Sequence, residues 1–280
     1  MAYRITNDEI SEYRRFLLLE ERAESTVQKY LRDIQVFRVW LDEREISKEA
    51  AAEWKEYLVA KAYAPATINA MLSSLNGFFR YAGRDDCIVK PLKIQHRMFR
   101  DADKELSREE YGKLLDAAQE LGNVRLKLLL ESICATGIRV SEVKYITVEA
   151  IRRGRADVSL KGKIRTIMIP GKLCKKLREY TKKRKIVTGE IFVSRNGKSL
   201  SRSQIWQEMK RLCEKAGVKP SKVFPHNLRH LFARTFYKSS KDIAKLADVL
   251  GHSSVDTTRI YLISSGEMHA RQMDRLGLVS

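Results

Sequence analysis

Paired cysteines are missing from these 280 residues. Cys87, Cys134, Cys174 and Cys213 stand far apart and no CxxC occurs, which argues against a structural zinc site. Scattered thiols fit buried residues in a reducing compartment. No apolar run approaches the ~20 residues of a membrane span, and the opening MAYRITNDEISEYRRF lacks the apolar centre of a secretory signal. Internal repeats, low-complexity tracts and acidic clusters suited to paired Mg²⁺ are also absent. These absences lead us to expect a cytoplasmic, nucleoid-associated protein with no membrane, metal or cofactor.

Negative charge is the other scarcity. The chain has 35 Asp and Glu against 54 Lys and Arg, a net charge of +19 and a pI near 9.8. Residues 151–250 hold 27 of the basic residues and only 7 acidic ones, a local excess of +20. An excess so concentrated marks a face for a polyanion. A solvated basic surface or a ribosome-like binder is the bland alternative.

The length, with 44% hydrophobic residues, allows two domains with real cores. The first ninety-odd residues read as a helical bundle. From Ser25, a plausible N-cap, STVQKYLRDIQVFRVWLDERE puts Val27, Tyr30, Leu31, Ile34, Phe37 and Leu41 on one stripe. ATINAMLSSLNGFFRYAG does the same with Ile68, Met71, Leu72, Leu75, Phe78, Phe79 and Ala82, between Pro65 and Gly83. Shorter helices are expected over 8–21 and 49–61. The polar, aperiodic stretch around QHRMFRDADKE reads as a linker. The resulting division is a domain over 1–94, a linker over 95–105 and a second domain over 106–280. SREE at Ser107 is a capping box opening a new helix. The second domain reads as mainly α with a small β-hairpin, ADVSL and IRTIMIP around KGK, with EIFVS as a possible third strand.

Four clusters in the second domain carry candidate chemistry. ATGIRVSEV places Arg139 where a glycine meets a helix start, a natural anion site. LKGKIRTI gathers Lys161, Lys163 and Arg165 at the hairpin tip, where a lysine can donate a proton to a leaving oxygen. PHNLRHLFARTFY sets His226 and Arg229 three apart on one helical face, with Leu228, Leu231 and Phe232 facing the core and His230 off the His226–Arg229 face, as a structural or backbone-contacting residue. LGHSSVDTTRIYL has Gly251 at a turn, His252 in it, Ser253 or Ser254 as the next cap, Asp256 in the first turn and Tyr261 nine residues after His252. Each cluster alone also fits a surface cation or a packed ring. Together, two arginines, a lysine, two histidines and a tyrosine suit phosphodiester chemistry. Arginine forks grip phosphate oxygens whose charge grows in the transition state. A tyrosine can attack to form a phosphotyrosyl ester while a histidine takes its proton.

TGIRVSEV, KGKIRT, HNLRHLFA and LGHSSVDTTRIY, over roughly 106–262, resemble the tyrosine recombinases: phage-type integrases, Cre-like enzymes and Xer recombinases. STVQKYLRDIQVF and APATINAMLSSLNGFFRYA resemble, less specifically, that family's N-terminal SAM-like core-binding domain. The resemblance implies a SAM-like helical bundle followed by the tyrosine-recombinase catalytic domain, in a two-domain Xer-like architecture with no arm-binding domain ahead of it. It makes Tyr261 the nucleophile, Arg139, His226, Arg229 and His252 its catalytic partners, and Glu142 the acidic support of Arg139. Lys161 matches the hairpin lysine, with Lys163 as its alternative because the turn is short. Where some relatives have Trp at the His252 position, this chain has His.

The implied function is site-specific DNA recombination through a 3′-phosphotyrosyl intermediate and a Holliday junction. A homotetramer of C-shaped clamps would act on two double-stranded sites, without metal or ATP. The tail after Tyr261, ending in Leu276, Leu278 and Val279, is expected to dock into a neighbouring protomer; the alternative is that it folds back on its own domain. A type IB topoisomerase-like nicking-closing enzyme and a non-catalytic DNA-binding relative are the competing functions. Target sequence, and a role in integration, inversion or chromosome-dimer resolution, are not readable from these residues.

Overall fold

The structure is a computed structural model that describes residues 4–94, 102–160, 163–252, 254–261 and 274–275. The chain divides into two compact units, Met1–His96 and Arg97–Ser280. No helix of the described residues is long and apolar enough to cross a membrane. Cys87, Cys174 and Cys213 are buried free thiols and Cys134 is half-buried.

The first unit contains α1 (Asn7–Leu19), α2 (Glu24–Leu41), α3 (Lys48–Ala60) and α4 (Pro65–Tyr81). Thr6 caps α1 in a capping box with Glu9, and Ser47 caps α3. Helix α2 begins two residues earlier than its sequence signal. Ala23 occupies the cap without a side-chain bond, so Ser25 sits inside the first turn. The core joins Val27, Ile34, Phe37 and Leu41 of α2 to Ile68, Leu72, Leu75, Phe78 and Phe79 of α4, with Trp54 of α3 wedged edge-on against Phe37. Asp33 breaks the apolar stripe. It is buried, but Lys29 pairs with it and Ser74 Oγ donates to it at 2.8 Å, which answers the desolvation of its charge.

The second unit opens with the capping box expected at Ser107. Its amide donates to Glu110 Oε2 at 2.8 Å, and the Glu110 amide donates back to Ser107 Oγ at 3.0 Å. There follow α5 (Arg108–Glu120), α6 (Val124–Thr136), α7 (Val148–Arg153), the antiparallel hairpin β1 (Arg155–Leu160) and β2 (Lys163–Met168), α8 (Gly171–Arg184), α9 (Arg202–Ala216), α10 (Pro225–Ser240), α11 (Ile243–Leu250) and α12 (Val255–Arg259). EIFVS does not add a third strand. Only Thr147–Glu190 and Val193–Ser199 make isolated bridges there, because the segment meets loops rather than a free strand edge. Strand alternation turns Ala156, Val158 and Ile167 into the core and leaves Ile164, Thr166 and Met168 outside. Of the stretch expected to be a linker, 95–101 lies outside the described residues. Lys104 to Leu106 is fastened to α10: Asn227 Nδ2 donates to the Lys104 carbonyl at 2.8 Å, Arg234 Nη2 to the Leu106 carbonyl at 2.8 Å, and Arg234 pairs with Glu105.

Candidate active site

Three helix ends and one hairpin build the site. Gly137 terminates α6 with φ of +64°, and the chain turns there so tightly that a Cβ would stand 2.6 Å from Phe232 Cε1. Arg139 follows, ahead of a 3-10 turn over Val140–Tyr145. Pro225 opens α10 at its first position, where a missing N–H costs nothing, and α10 carries His226, Arg229 and His230. Gly251 ends α11 with φ of +64° and delivers His252, whose amide bonds back to the Ala247 carbonyl. Ser254 opens α12 as its N-cap by accepting from the Asp256 amide, and Tyr261 lies two residues past the end of α12.

The structure brings Arg139, Glu142, His226, Arg229, His252 and Tyr261 into one cluster. Lys161 lies outside the described residues, and of Lys163 only its place at the start of β2 is described. Of the tail after Tyr261, residues 262–273 and 276–280, with Leu276, Leu278 and Val279, likewise lie outside them.

Arginine placement is organised by three consecutive carbonyls at the end of α11. Arg165 Nη1 donates to Val249 at 3.1 Å, Arg229 Nη2 to Leu250 at 2.7 Å and Arg139 Nη2 to Gly251 at 3.4 Å. The negative end of the helix dipole favours these cations. Arg229 also donates to the Gly137 carbonyl, so it ties α6 to α11. It is only 2% exposed, which differs from a simple picture of α10 with one catalytic and one core face: the ends of α6 and α11 and His252 engage the Arg229 side as well. Burial pulls the guanidinium below its ordinary range; the neighbouring Tyr261 opposes that, and Arg139 and Arg165 add like-charge repulsion.

Glu142 is the anion among these cations. It is 2% exposed, accepts from the Arg139 amide at 2.7 Å and Arg139 Nη1 at 3.0 Å, and pairs with Arg165. Burial alone raises its carboxyl, but the Arg139 amide and the Arg165 charge outweigh burial and leave it below the usual carboxylate range.

His252 has a defined tautomer. Arg229 Nη2 lies 3.0 Å from Nε2 and can only donate, so Nε2 is the acceptor and Nδ1 carries the hydrogen, donated to Thr258 Oγ1 at 2.8 Å. Burial, then Arg229, Arg139, Arg165 and His226, push its pKa down to about 4. At neutral pH this ring is uncharged.

Tyr261 is 4% exposed and packs with Ala233, Leu246 and Leu250. Its ring stacks on His252 with centroids 5.7 Å apart, stands edge-on to His230 at 4.5 Å and lies 6.3 Å from His226. The packing expected of a tyrosine near a helix end and a place among the candidate residues are thus both found at one side chain. His230 does not lie off the His226 side of α10. The two rings meet edge to face at 4.4 Å, as neighbours at i and i+4 do; that spacing was the signal for it. Thr258 and Arg165 had no such signal, since their partners are 6 and 23 residues away.

Arginine forks, an uncharged histidine and a tyrosine ring stacked on that histidine define a site suited to attack on a phosphate ester. The phage integrase family profile matches residues 104–267, and the phage integrase N-terminal SAM-like domain matches residues 10–86. The chain belongs to the phage integrase family, the tyrosine recombinases. Among its relatives, the tyrosine recombinase XerA of Thermococcus kodakarensis is 29% identical over 91% of this chain and 90% of its own. The tyrosine recombinase XerD of Pseudomonas aeruginosa is 29% identical over 90% of this chain and 92% of its own. In fold, the chain is similar to a lambda integrase (75–356) dimer bound to a COC′ core site, with TM-score 0.73 and 21% identity over 91% of this chain and 94% of that one. It is also similar to XerH bound to its difH substrate in a pre-cleavage complex, with TM-score 0.69 and 19% identity over 95% and 84%.

Proposed function

We propose that this chain is a site-specific DNA recombinase in which Tyr261 is the nucleophile. The convergence of His226, His230 and His252 on the Tyr261 ring, with Arg229 bound to His252, is the observation that carries the reading. Tyr261 attacks the scissile phosphorus as its hydroxyl proton passes to a histidine, for which exposed His226 is our candidate. The P–O5′ bond breaks, leaving a 3′-phosphotyrosyl ester and an oxygen that Lys161, or Lys163 in its place, protonates. Arg139 and Arg229 hold the phosphate oxygens whose charge grows, with Glu142 fixing Arg139. The 5′-hydroxyl of a partner strand then attacks the ester and the tyrosine leaves, so ester energy is conserved and no nucleotide is consumed.

Double-stranded DNA is the partner this chemistry needs, and the +20 excess over residues 151–250 supports it. We assign residues 1–94 to core binding, 95–105 to the linker and 106–280 to catalysis. We further assign a homotetramer on two sites, passing through a Holliday junction with tail exchange between protomers, and a place in the cytoplasm with the nucleoid.

The test is covalent trapping on a pool of nicked random-sequence duplexes, followed by sequencing of the attached DNA. Wild-type chain is expected to trap DNA, and Tyr261→Phe to bind it without attachment. Undiminished trapping by Tyr261→Phe overturns the assignment. Relaxation of any supercoiled plasmid without recombinant product would instead favour the nicking-closing reading.

A further inference from the structure

We propose that Arg165 is a positioning residue of this site, fastening the β1–β2 hairpin to Glu142 and to the end of α11, and so setting both Arg139 and the turn that carries His252. The inference rests on the reading of the site as a phosphodiester-cleaving centre.

The place of Arg165 on β2 is unusual for its chemistry. Ile164, Thr166 and Met168 point outward, and the alternation turns Arg165 inward beside Ile167. Its side chain is 15% exposed. A cation there is costly unless paired, and both ends of its fork are engaged: Nη2 with Glu142 Oε2 and Nη1 with the Val249 carbonyl. Nε is buried without a hydrogen-bond partner among the described residues, so the two ends of the fork do the holding. With one end of its fork neutralised by the Glu142 carboxylate and its stem packed under Gly251, Arg165 acts through its neighbours rather than on substrate.

Those neighbours are the site. Glu142 Oε2, which takes Arg165, also takes the Arg139 amide, while Oε1 takes the Arg139 guanidinium. Removing Arg165 therefore frees one side of the carboxylate that orients Arg139. Val249 lies three residues before His252, so the other end of the fork holds the base of the His252 turn.

Gly251 gives a second, independent sign. A Cβ at Gly251 would land on Arg165 Cδ, 2.8 Å from Nη1 and 3.1 Å from Nε. The turn into His252 is shaped around the stem of Arg165. A lysine has one compact ammonium and cannot make both contacts at once.

The experiment measures single-turnover formation of the covalent protein–DNA link by the full chain, on the nicked duplex recovered by trapping. Arg165→Ala is expected to slow it by about 10–100-fold, the size of a modest misplacement of reacting groups. DNA affinity at fixed salt should stay within about threefold, as for a group that grips no phosphate, with a cooperative thermal transition. Arg165→Lys should recover part of the rate. Gly251→Ala should reproduce the loss, and the double variant should be no slower than the slower single one, because both changes empty the same seat. In the free protein, NMR titration of His252 should move up from about 4 in Arg165→Ala, since one nearby cation is gone. Wild-type rates in Arg165→Ala, multiplicative losses in the double variant, or affinity falling in step with rate would each overturn the proposal. If the wild-type chain forms no link through Tyr261, the functional reading fails instead, while an unmoved His252 midpoint counts against Arg165 alone.

Discussion

His230 and Tyr261 stand edge to face, with ring centroids 4.5 Å apart and planes at 64°. His230 also meets His226 at 4.4 Å, so one ring spans the candidate nucleophile and the candidate proton acceptor. An aromatic contact of this kind contributes about 0.5–1.5 kcal/mol beyond burial. His230→Ala is expected to slow covalent attachment by about tenfold or more through lost orientation, while His230→Phe keeps the edge and stays within a few-fold of wild type. Trapping rates at saturating DNA check this; a Phe variant as slow as the Ala variant would shift the role to the ring nitrogens.

The depressed pKa of His252 has a consequence for stability. Its folded value, about 4, lies below the ordinary 6.5, so between these values the unfolded chain binds the extra proton. Stability is full above about 6.5 and falls as the pH drops toward about 4. His252→Gln keeps an acceptor for Arg229 without a titrating ring, and its melting temperature is expected to fall less steeply over this window. Parallel melting curves for the two chains between these pH values test it.

Gly137→Ala meets two obstacles: φ of +64° and a Cβ that would press on Phe232. The two together are expected to destabilise the second unit by about 2–4 kcal/mol. Because the Gly137 carbonyl accepts from Arg229, attachment should also slow. A denaturant midpoint equal to wild type would mean that Phe232 moves aside freely.

DNA affinity is expected to fall by roughly a thousandfold or more between 50 and 200 mM salt if about six phosphates are contacted. A flat response would count against the basic excess of residues 151–250 as the DNA face. Cleavage is expected to survive EDTA, since the proposed cations are side chains; loss restored by Mg²⁺ would call for another mechanism.

Local signals were well readable in the sequence, and convergence was not. The capping box of Ser107 and Glu110 acts within four residues, and the stripes of α2 and α4 follow helical spacing, so both were visible before any fold was known. Ser25 misled by two residues because Ala23 occupies the cap without a side-chain bond. The inner strand position of Arg165, the Thr258 bond to His252 and the burial of Arg229 against the ends of α6 and α11 come from packing between distant segments. Family motifs drew Arg139, Glu142, His226, Arg229, His252 and Tyr261 together; they carried no hint that α11 supplies the seat for three arginines.

That seat bears on how a reaction begins. Three like charges beside a neutral histidine repel one another, and bringing them together is work. Here the Val249, Leu250 and Gly251 carbonyls hold them while the chain folds. On the proposed reading, a phosphate arriving at the site meets Arg139 and Arg229 already gathered, with the Leu250 and Gly251 carbonyls as stand-ins for its oxygens and Arg165 left on Val249. The electrostatic reorganisation that water would demand at each turnover is thereby done once, in folding.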